Sequence, residues 1–398
     1  PRSTLFPYTT LFRSRSLKKG REEKLLEILP PLDWNKVGTE TWGDVVRQVR
    51  KVGTMNFIKG NLSKDKEIRE KTWESVFRTV RQPEWWNGDS EYHPPSYSEP
   101  VSDLEKKLRG GEFVVATEVT PPLGANPAKL IREIELVKPY VTVINFTDSS
   151  SANPKMSSLA CSKVANDLKA EAVLQIAARD TTRTGLQATA IGAGQFGVKN
   201  ILCITGDSTK VGPSPRADMN FVDVDSVQML WMLRRMRDEG IYLDGRKIKY
   251  PPKYFLGAAT SPFASDPVLQ AIRDQKKVNA GAQFFQTNIV FDPGGIELWL
   301  EELDRRGVLD KVFILIGIAT MKSYKVARYL HDHVPGVFLP ERILRRMEKA
   351  GDGESEEGVQ IALEFISSIK GKKGINGIHL MTLGWEEIVE RIVKESGL

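Results

Sequence analysis

Residues 200–207 read Asn-Ile-Leu-Cys-Ile-Thr-Gly-Asp, an apolar run that ends at a small turn residue and a carboxylate. A short apolar run bounded by turn residues is typical of a buried strand in a parallel sheet. Seven further runs have the same form: Phe113–Val119, Tyr140–Phe146, Ala172–Ile176, Tyr254–Thr260, Ala282–Thr287, Val312–Ile318 and Gly377–Thr382. Because stretches with helical periodicity separate most of these runs, the pattern predicts an α/β protein with the TIM (β/α)8 barrel fold.

The helices of this barrel are predicted between the strands. They are expected at 127–138, 156–169, 183–196, 224–239, 266–280, 295–306, 322–332 and 384–396, with two extra helices at 340–350 and 356–369 before the last strand. The connection 209–222 is unusually long, which makes it a candidate lid over the barrel mouth.

Polar residues stand at or near the ends of several predicted strands. Glu118, Gln175, Asp207 and Asn288 are far apart in the chain. The carboxyl ends of all strands in a TIM barrel meet at one mouth, where the active sites of such enzymes lie. We therefore expect these side chains to gather there, and the protein to be an enzyme.

One glycine motif matches a dinucleotide-binding pattern but lies in the wrong structural context. Gly192–Gly197 satisfies the dinucleotide pattern G-x-G-x-x-G. That motif is informative only where it follows a strand and opens a helix, because the phosphate lies at the amino end of the helix. Here the glycines end a predicted helix and lead into a strand, as glycines at a helix C-terminus do. A Rossmann domain is not expected.

Composition narrows the class of protein. Hydrophobic residues make up 40% of the chain and charged residues 27%, which is typical of a globular domain. The longest apolar run, Val312–Ala319, is far shorter than the roughly 20 residues that span a bilayer. Cys161 falls in a predicted helix and Cys203 in a predicted strand, so a disulfide framework is not expected. We therefore expect the protein to lie in a reducing cytoplasm.

The charge pattern gives little support to nucleic-acid binding. The net charge is +6, and it falls to +4 without Arg2 and Arg13 of the first fourteen residues. The remaining basic residues are spread along the chain with no basic stripe interleaved with aromatic residues. A mild positive field suits an anionic cofactor or a glutamate-tailed substrate. The cysteines and the four histidines lack the spacing of metal ligands, so no metal site is expected.

The amino-terminal part differs from the rest. Residues 4–14 resemble the in-frame translation of a sequencing-library adapter, so residues 1–14 are expected to be an artefact and the chain a fragment of a longer gene product. Residues 15–100 are predicted to form a short, mostly helical extension. Five of the eight tryptophans lie there, which suggests packing against another body. The catalytic barrel is expected over 101–398.

The barrel resembles the methylenetetrahydrofolate reductase family of one-carbon metabolism. The likeness covers roughly residues 111–398, and the order of its motifs on strands one, four, six and eight makes it specific. The motifs are Glu118-Val119-Thr120-Pro121-Pro122, Ile204-Thr205-Gly206-Asp207, Ala280-Gly281-Ala282 with Gln286-Thr287-Asn288, and Gly377-Ile378-His379-Leu380-Met381 with Gly384-Trp385.

The resemblance implies a flavoprotein, with FAD or FMN, that passes hydride from NADH or NADPH through flavin N5 to 5,10-methylenetetrahydrofolate. The product, 5-methyltetrahydrofolate, feeds methionine biosynthesis. Glu118 matches the family's general acid, and its apolar neighbours are expected to raise its pKa. Without the resemblance, Glu118 could be a carboxylate that caps a loop.

Other residues match family positions at the cofactor and the substrate. Asp207 matches an aspartate beside flavin and pterin, although a turn-initiating Asp is common in Gly-Asp-Ser. Lys277 matches a lysine that contacts the anionic part of the flavin. Thr147, Thr205 and Gly206 match positions whose hydroxyl or backbone approaches the flavin.

Two positions depart from the family pattern. Gln175 stands where many relatives have a histidine near the flavin, although an amide can also bind a phosphate or a ring carbonyl. Asn288 stands where the family usually has a pterin-binding glutamine, and its amide would fall about 1.5 Å short. Gln286 is expected to point to the opposite face and not to compensate.

The resemblance leaves the electron donor and the assembly open. Lys18–Gly38 looks like the tail of a zinc-holding module that accompanies such reductases, so a zinc-containing or electron-transfer partner subunit is one hypothesis. An oligomer is expected. The alternative function is a non-catalytic or partner-dependent folate- or corrinoid-handling subunit with the same fold.

Overall fold

The computed structural model describes residues 99–398 except 208–211, 214–222, 264–265 and 335. Within these residues, eight parallel strands form a closed barrel. The strands are β1 Val114–Val119, β2 Val143–Phe146, β3 Ala172–Ala177, β4 Asn200–Ile204, β5 Phe255–Thr260, β6 Phe284–Ile289, β7 Phe313–Ala319 and β8 Gly377–Met381. Strand β1 pairs in parallel with both β2 and β8, which closes the barrel. The predicted TIM barrel is confirmed.

The described α-helices follow the strands in the alternation that the sequence predicts. They are α1 Asp103–Arg109, α2 Ala128–Val137, α3 Ser158–Asp167, α4 Arg183–Gln195, α5 Ser226–Asp238, α6 Pro267–Ala280, α7 Pro293–Arg305, α8 Tyr324–His333, α9 Glu341–Lys349, α10 Glu354–Ile369 and α11 Ile388–Glu395. Within the described residues, no helix combines the length and the hydrophobicity that a membrane span requires.

Short polar side chains begin most of the helices that follow a strand. Ser157, Thr182, Asp225, Asp266, Asp292 and Ser323 each accept a backbone N–H of the first turn of α3 to α8. Such caps satisfy donors that would otherwise lack a partner. The glycines of 192–197 end α4, with Gly197 at φ +73°, so the interpretation as a helix terminus is confirmed.

The helix α1 closes the amino-terminal end of the barrel. Leu104 and Leu108 are buried with inward-facing residues of the strands, among them Val114, Val143 and Leu202. Ser102 caps α1 by accepting the Glu105 N–H at 3.0 Å. The sequence predictions missed this helix, although Ser102 and Glu105 have the spacing of a capping box.

An amide pair spans the barrel interior. Asn145 of β2 and Gln286 of β6 donate to each other, and the bond from Gln286 Nε2 to Asn145 Oδ1 measures 3.1 Å. Gln286 therefore points into the barrel. The expectation that it faces the opposite side from Asn288 stays a prediction. Residues two apart in a regular strand share a face, although β6 is irregular between Gln286 and Ile289.

Several predictions lie outside the described residues. These are the adapter-like residues 1–14, the extension 15–98 with its tryptophans, and the candidate lid 209–222 apart from residues 212 and 213. The domain boundary at residue 100 stays a prediction.

Candidate functional site

Glu118 lies near the carboxyl end of β1, where its Cα is aligned with that of Asn145 in β2. Its side chain is only partly exposed. Burial raises the pKa of Glu118 to about 7, while the Lys155 charge and a hydrogen bond to Gln175 act in the opposite direction and Glu386 raises it further. Removal from water disfavours a carboxylate, which is the dominant cause here. The carboxyl group therefore carries a proton for part of the time at neutral pH.

Gln175 is a predicted site residue that acts on Glu118. It is buried in β3, and a hydrogen-bonding interaction of its amide lowers the pKa of the Glu118 carboxyl group. The Gln175 carbonyl accepts the Ser158 hydroxyl at 2.7 Å, which joins the end of β3 to the first turn of α3. The structure thus brings together two of the predicted site residues.

A cavity of about 370 Å³ opens beside the residues that follow Glu118. It is lined by Thr120–Leu123, Lys129, Leu130, Glu133 and Lys155. Burial and the nearby Glu386 raise the pKa of Glu133. Glu386 itself is buried and accepts the Thr382 hydroxyl at 3.3 Å. Glu386 therefore acts on two carboxyl groups, that of Glu118 in β1 and that of Glu133 in α2.

Asp207 follows β4 at the same end of the barrel and is exposed. Its Oδ2 atom accepts the Ser151 N–H at 2.7 Å. The guanidinium of Arg179 donates to the Asp207 carbonyl at 3.0 Å and to the Ser149 carbonyl at 3.1 Å. Asp207 is thus fixed by the loop after β2 and by an arginine from the segment after β3.

Gly206 requires a backbone conformation that other residues rarely adopt. Its φ is +92°, and a Cβ atom added there would lie 3.1 Å from Arg179 Cβ and 3.2 Å from Ala177 Cβ. Only glycine has ready access to this conformation. The peptide on either side of Gly206 is therefore not shielded by a side chain at this position.

The two predicted threonines differ in what their hydroxyl groups contact. The Thr147 hydroxyl is buried and has no hydrogen-bond partner within the described residues. The Thr205 hydroxyl contacts the first residue of α5, at 3.1 Å from the Ser226 hydroxyl and 3.2 Å from the Ser226 amide nitrogen. A ligand at the mouth would find an available donor at Thr147, whereas Thr205 would contribute chiefly through its backbone.

Lys277 lies apart from the residues around Glu118. Its ammonium donates to the Ala259 carbonyl at 2.7 Å and to the buried Asp274 carboxylate at 3.4 Å. Asp274 also accepts the Thr260 hydroxyl and the Trp299 indole N–H. This network lies between β5 and the helices α6 and α7, on the outer side of the barrel wall.

Asn288 lies where β6 loses its regular pairing with β7. Its Oδ1 atom accepts the N–H of the next residue, Ile289, at 2.8 Å. The side-chain oxygen is thus directed to its own backbone, which a longer glutamine would do less readily. Gln286 lies on β6 across the barrel from β2, as its pairing with Asn145 requires.

His379 is a buried residue that the sequence predictions used only as part of a motif. Its side chain is 2% exposed, and neither ring nitrogen has a hydrogen-bond partner among the described residues. Burial lowers the pKa of His379 to about 4, so the ring is neutral at pH 7. Its Cα is aligned with those of Ala116 and Gly317. Lys155, Arg179 and Glu386 also contribute to the site and were not predicted.

The described ranges contain no group of three or more histidine, cysteine, aspartate or glutamate side chains that could hold a metal ion. Both cysteines are free and buried. Burial raises the pKa of Cys161 to about 12 and that of Cys203 still further. Neither thiol is therefore prepared to react as a thiolate.

Fold and site together define a TIM-barrel protein whose polar site lies at the carboxyl ends of the strands, beside a carboxyl group that titrates near neutrality. The methylenetetrahydrofolate reductase family model matches residues 103–397, and the chain belongs to that family. The resemblance seen in the motifs is thereby confirmed.

Individual relatives are distant. The chain is 22% identical over 242 residues to methylenetetrahydrofolate reductase 1 of Schizosaccharomyces pombe, covering 59% of this chain and 37% of that protein. The chain thus spans little more than a third of the length of that relative.

Two solved structures are among those similar to this chain. An uncharacterized protein from Clostridium thermocellum that binds two copies of 5-methyl-5,6,7,8-tetrahydrofolic acid has a TM-score of 0.52 at 13% identity, over 74% of this chain and 98% of that one. The spore cortex-lytic enzyme SleL of Bacillus cereus has a TM-score of 0.41 at 13% identity, over 72% and 74% of the two chains.

Proposed function

We propose that the protein reduces 5,10-methylenetetrahydrofolate to 5-methyltetrahydrofolate with the help of a bound flavin. The observation that carries the proposal is the carboxyl group of Glu118, whose pKa of about 7 suits a general acid. An acid with a pKa near the working pH is still protonated and yet gives up its proton readily. Family membership supplies the substrate class, and the folate ligand of the Clostridium thermocellum protein is compatible with it.

Glu118 would open the five-membered ring of the substrate. Its proton passes to the ring nitrogen whose bond to the bridging methylene breaks, which leaves an iminium carbon ready for reduction. Gln175 orients the carboxyl group through their hydrogen bond. Partial burial keeps bulk water from competing for the proton. The Glu118 carboxylate must then be reprotonated from solvent before the next turnover.

The residues at the ends of β2, β3 and β4 fit a flavin. The buried Thr147 hydroxyl lacks a partner among the described residues, and a side chain at Gly206 would fill the space beside Arg179. Together with Gln175, Thr205 and Asp207, these residues would hold FAD or FMN. The chemistry that the flavin supplies when bound is hydride transfer from NAD(P)H, or from a partner subunit, to the folate. A flavin contact by Lys277 stays a prediction.

The alternative is a non-catalytic or partner-dependent subunit that handles folate or a corrinoid. The position of Asn288 favours it, because the side-chain oxygen of this pterin-site candidate accepts the Ile289 N–H. A partner-dependent subunit would bind flavin without oxidising NAD(P)H until the partner is added. A cytoplasmic location and an oligomeric state also stay predictions.

The decisive experiment separates the two halves of the reaction in the purified protein under anaerobic conditions. Flavin content is identified first, and NAD(P)H oxidation with a quinone acceptor is then compared with folate reduction. Glu118→Gln is expected to lower folate reduction at least 100-fold while NAD(P)H oxidation stays within about twofold, since the acid acts only on the folate. The exposed Glu112→Gln is the matched control. Folate turnover unchanged in Glu118→Gln would refute the proposal.

A further inference from the structure

The loop after β2 adopts a conformation that is unusual for its residues. Ser149, Ser151 and Ala152 have φ values of 48°, 55° and 53°, in the left-handed region. Residues other than glycine rarely adopt this conformation because it brings Cβ too close to the backbone, so contacts must hold the loop in place. One of these contacts is Arg179, whose side chain is 1% exposed and donates to the Ser149 carbonyl.

This left-handed loop, Ser149–Ala152, makes two contacts toward the candidate site. The Ser151 N–H donates to Asp207 Oδ2 at 2.7 Å. The Ser150 hydroxyl accepts the Lys155 ammonium at 2.9 Å. The loop therefore contacts the Asp207 carboxylate directly and fixes the side chain of Lys155, which follows the loop in the chain.

Lys155 lies beside the end of β1. The N–H of its neighbour Met156 donates to the Pro122 carbonyl at 2.8 Å, which joins this segment to the residues after Glu118. Lys155 also lines the cavity that opens next to Thr120–Leu123. Its charge favours the ionised form of Glu118, against the effect of burial.

We propose that Lys155 is a positioning residue of the site, held beside Glu118 by the left-handed loop, so that one loop supports both Glu118 and Asp207. The inference deepens the proposed function and rests on it for the role of Glu118. Lys155 needs no contact with substrate to act in this way. It limits how long Glu118 stays protonated as the pH rises, and so sets the upper end of the active pH range.

Other charged groups around Glu118 must be separated from Lys155. Glu386, from the loop after β8, favours the protonated form of Glu118. Glu133 of α2 is affected by Glu386 and pairs with Lys129 at 3.2 Å. His379 of β8, aligned with Ala116, is neutral at pH 7. Lys155 is thus the cation whose effect on Glu118 the structure identifies.

The test titrates Glu118 directly. Infrared difference spectra over a pH series follow its carboxyl absorption, assigned as the band that Glu118→Gln removes. Lys155→Met is expected to raise the pKa of Glu118 by about one unit, because an opposite charge that favoured the ionised form is lost. Ser150→Ala is expected to raise it by a smaller amount, since Lys155 loses the acceptor that fixes it. Lys129→Met, on the same cavity wall, is the matched control and should leave it unchanged.

The same variants are then assayed for folate reduction across pH. In Lys155→Met the loss of activity at alkaline pH should begin at a correspondingly higher pH, with NAD(P)H oxidation unaffected. A Glu118 titration that is unmoved or moves downward in Lys155→Met overturns the inference, whatever the activity. Full folate turnover in Glu118→Gln would instead refute the proposed function, so the two failures can be told apart.

Discussion

Replacing Glu118 with glutamine should stabilise the folded protein at alkaline pH. The pKa of Glu118 rises from an ordinary 4.5 to about 7 on folding. Below pH 4.5 the carboxyl group is protonated in both states and has no effect on stability. Between pH 4.5 and 7 the unfolded chain ionises first, so the free energy of unfolding falls as the pH rises. Above pH 7 the loss is complete.

The size of the change in the free energy of unfolding follows from the difference between the pKa values of Glu118 in the folded and unfolded states. Each pKa unit corresponds to about 1.4 kcal/mol, so wild-type protein loses up to about 3 kcal/mol above pH 7. Partial exposure of Glu118 makes this an upper value. Glutamine stays neutral at every pH and avoids the loss. The gain of Glu118→Gln over wild type should therefore be about 2–3 kcal/mol larger at pH 8 than at pH 5.

The assay is urea denaturation, or thermal unfolding, of both proteins at pH 5 and pH 8. Glu112→Gln serves as control because Glu112 is exposed and lies just before the same strand. A gain that is equal at the two pH values would show that Glu118 is not desolvated. A variant less stable than wild type at pH 8 would contradict the reasoning altogether. The same substitution is expected to abolish folate reduction, so stability and activity should change in opposite directions.

Two further predictions concern the frame of the site. Gly206→Ala should lower the free energy of unfolding by about 1–3 kcal/mol and reduce flavin content, because φ is +92° and the added Cβ meets Arg179. Gly384→Ala is the control for backbone strain alone, because Gly384 has φ +87° and open space around it. Equal losses of unfolding free energy in the two variants would argue against a role for the contact with Arg179. As the pH falls from 6.5 to 4, His379 of the unfolded chain binds a proton while the buried ring of the folded protein stays neutral, so the free energy of unfolding of the wild type decreases. His379→Leu should make this decrease smaller. The exposed His333→Gln should retain the wild-type acid dependence, and a His379→Leu variant that also retains it would refute the assignment.

Much of the barrel could be predicted from the sequence because each strand is an apolar run buried on both faces. The predicted and observed strands overlap in all eight cases. The predicted and observed strands differ at their ends, because local hydrogen bonds determine where each strand begins and ends. The expected start of the second strand at Tyr140 falls in a turn instead, since its N–H donates to the Val137 carbonyl.

The candidate site was less accessible to sequence reasoning. Glu118 and Gln175 could be placed because strand ends converge in a barrel. Lys155 and Arg179 could not, since their contacts depend on how the connections between strands and helices fold. The pairing of Asn145 with Gln286 joins residues 141 positions apart, which no local pattern specifies.

That pairing has a consequence for how the protein tolerates changes in its surroundings. Asn145 and Gln286 carry no ionisable group, so this brace across the barrel keeps its strength from acid to alkali and is indifferent to salt. The carboxyl groups at the ends of the strands can therefore gain and lose protons while the hydrogen bonds between β2 and β6 stay intact. Substitutions that shift the pKa of these carboxyl groups should leave the barrel interior unchanged.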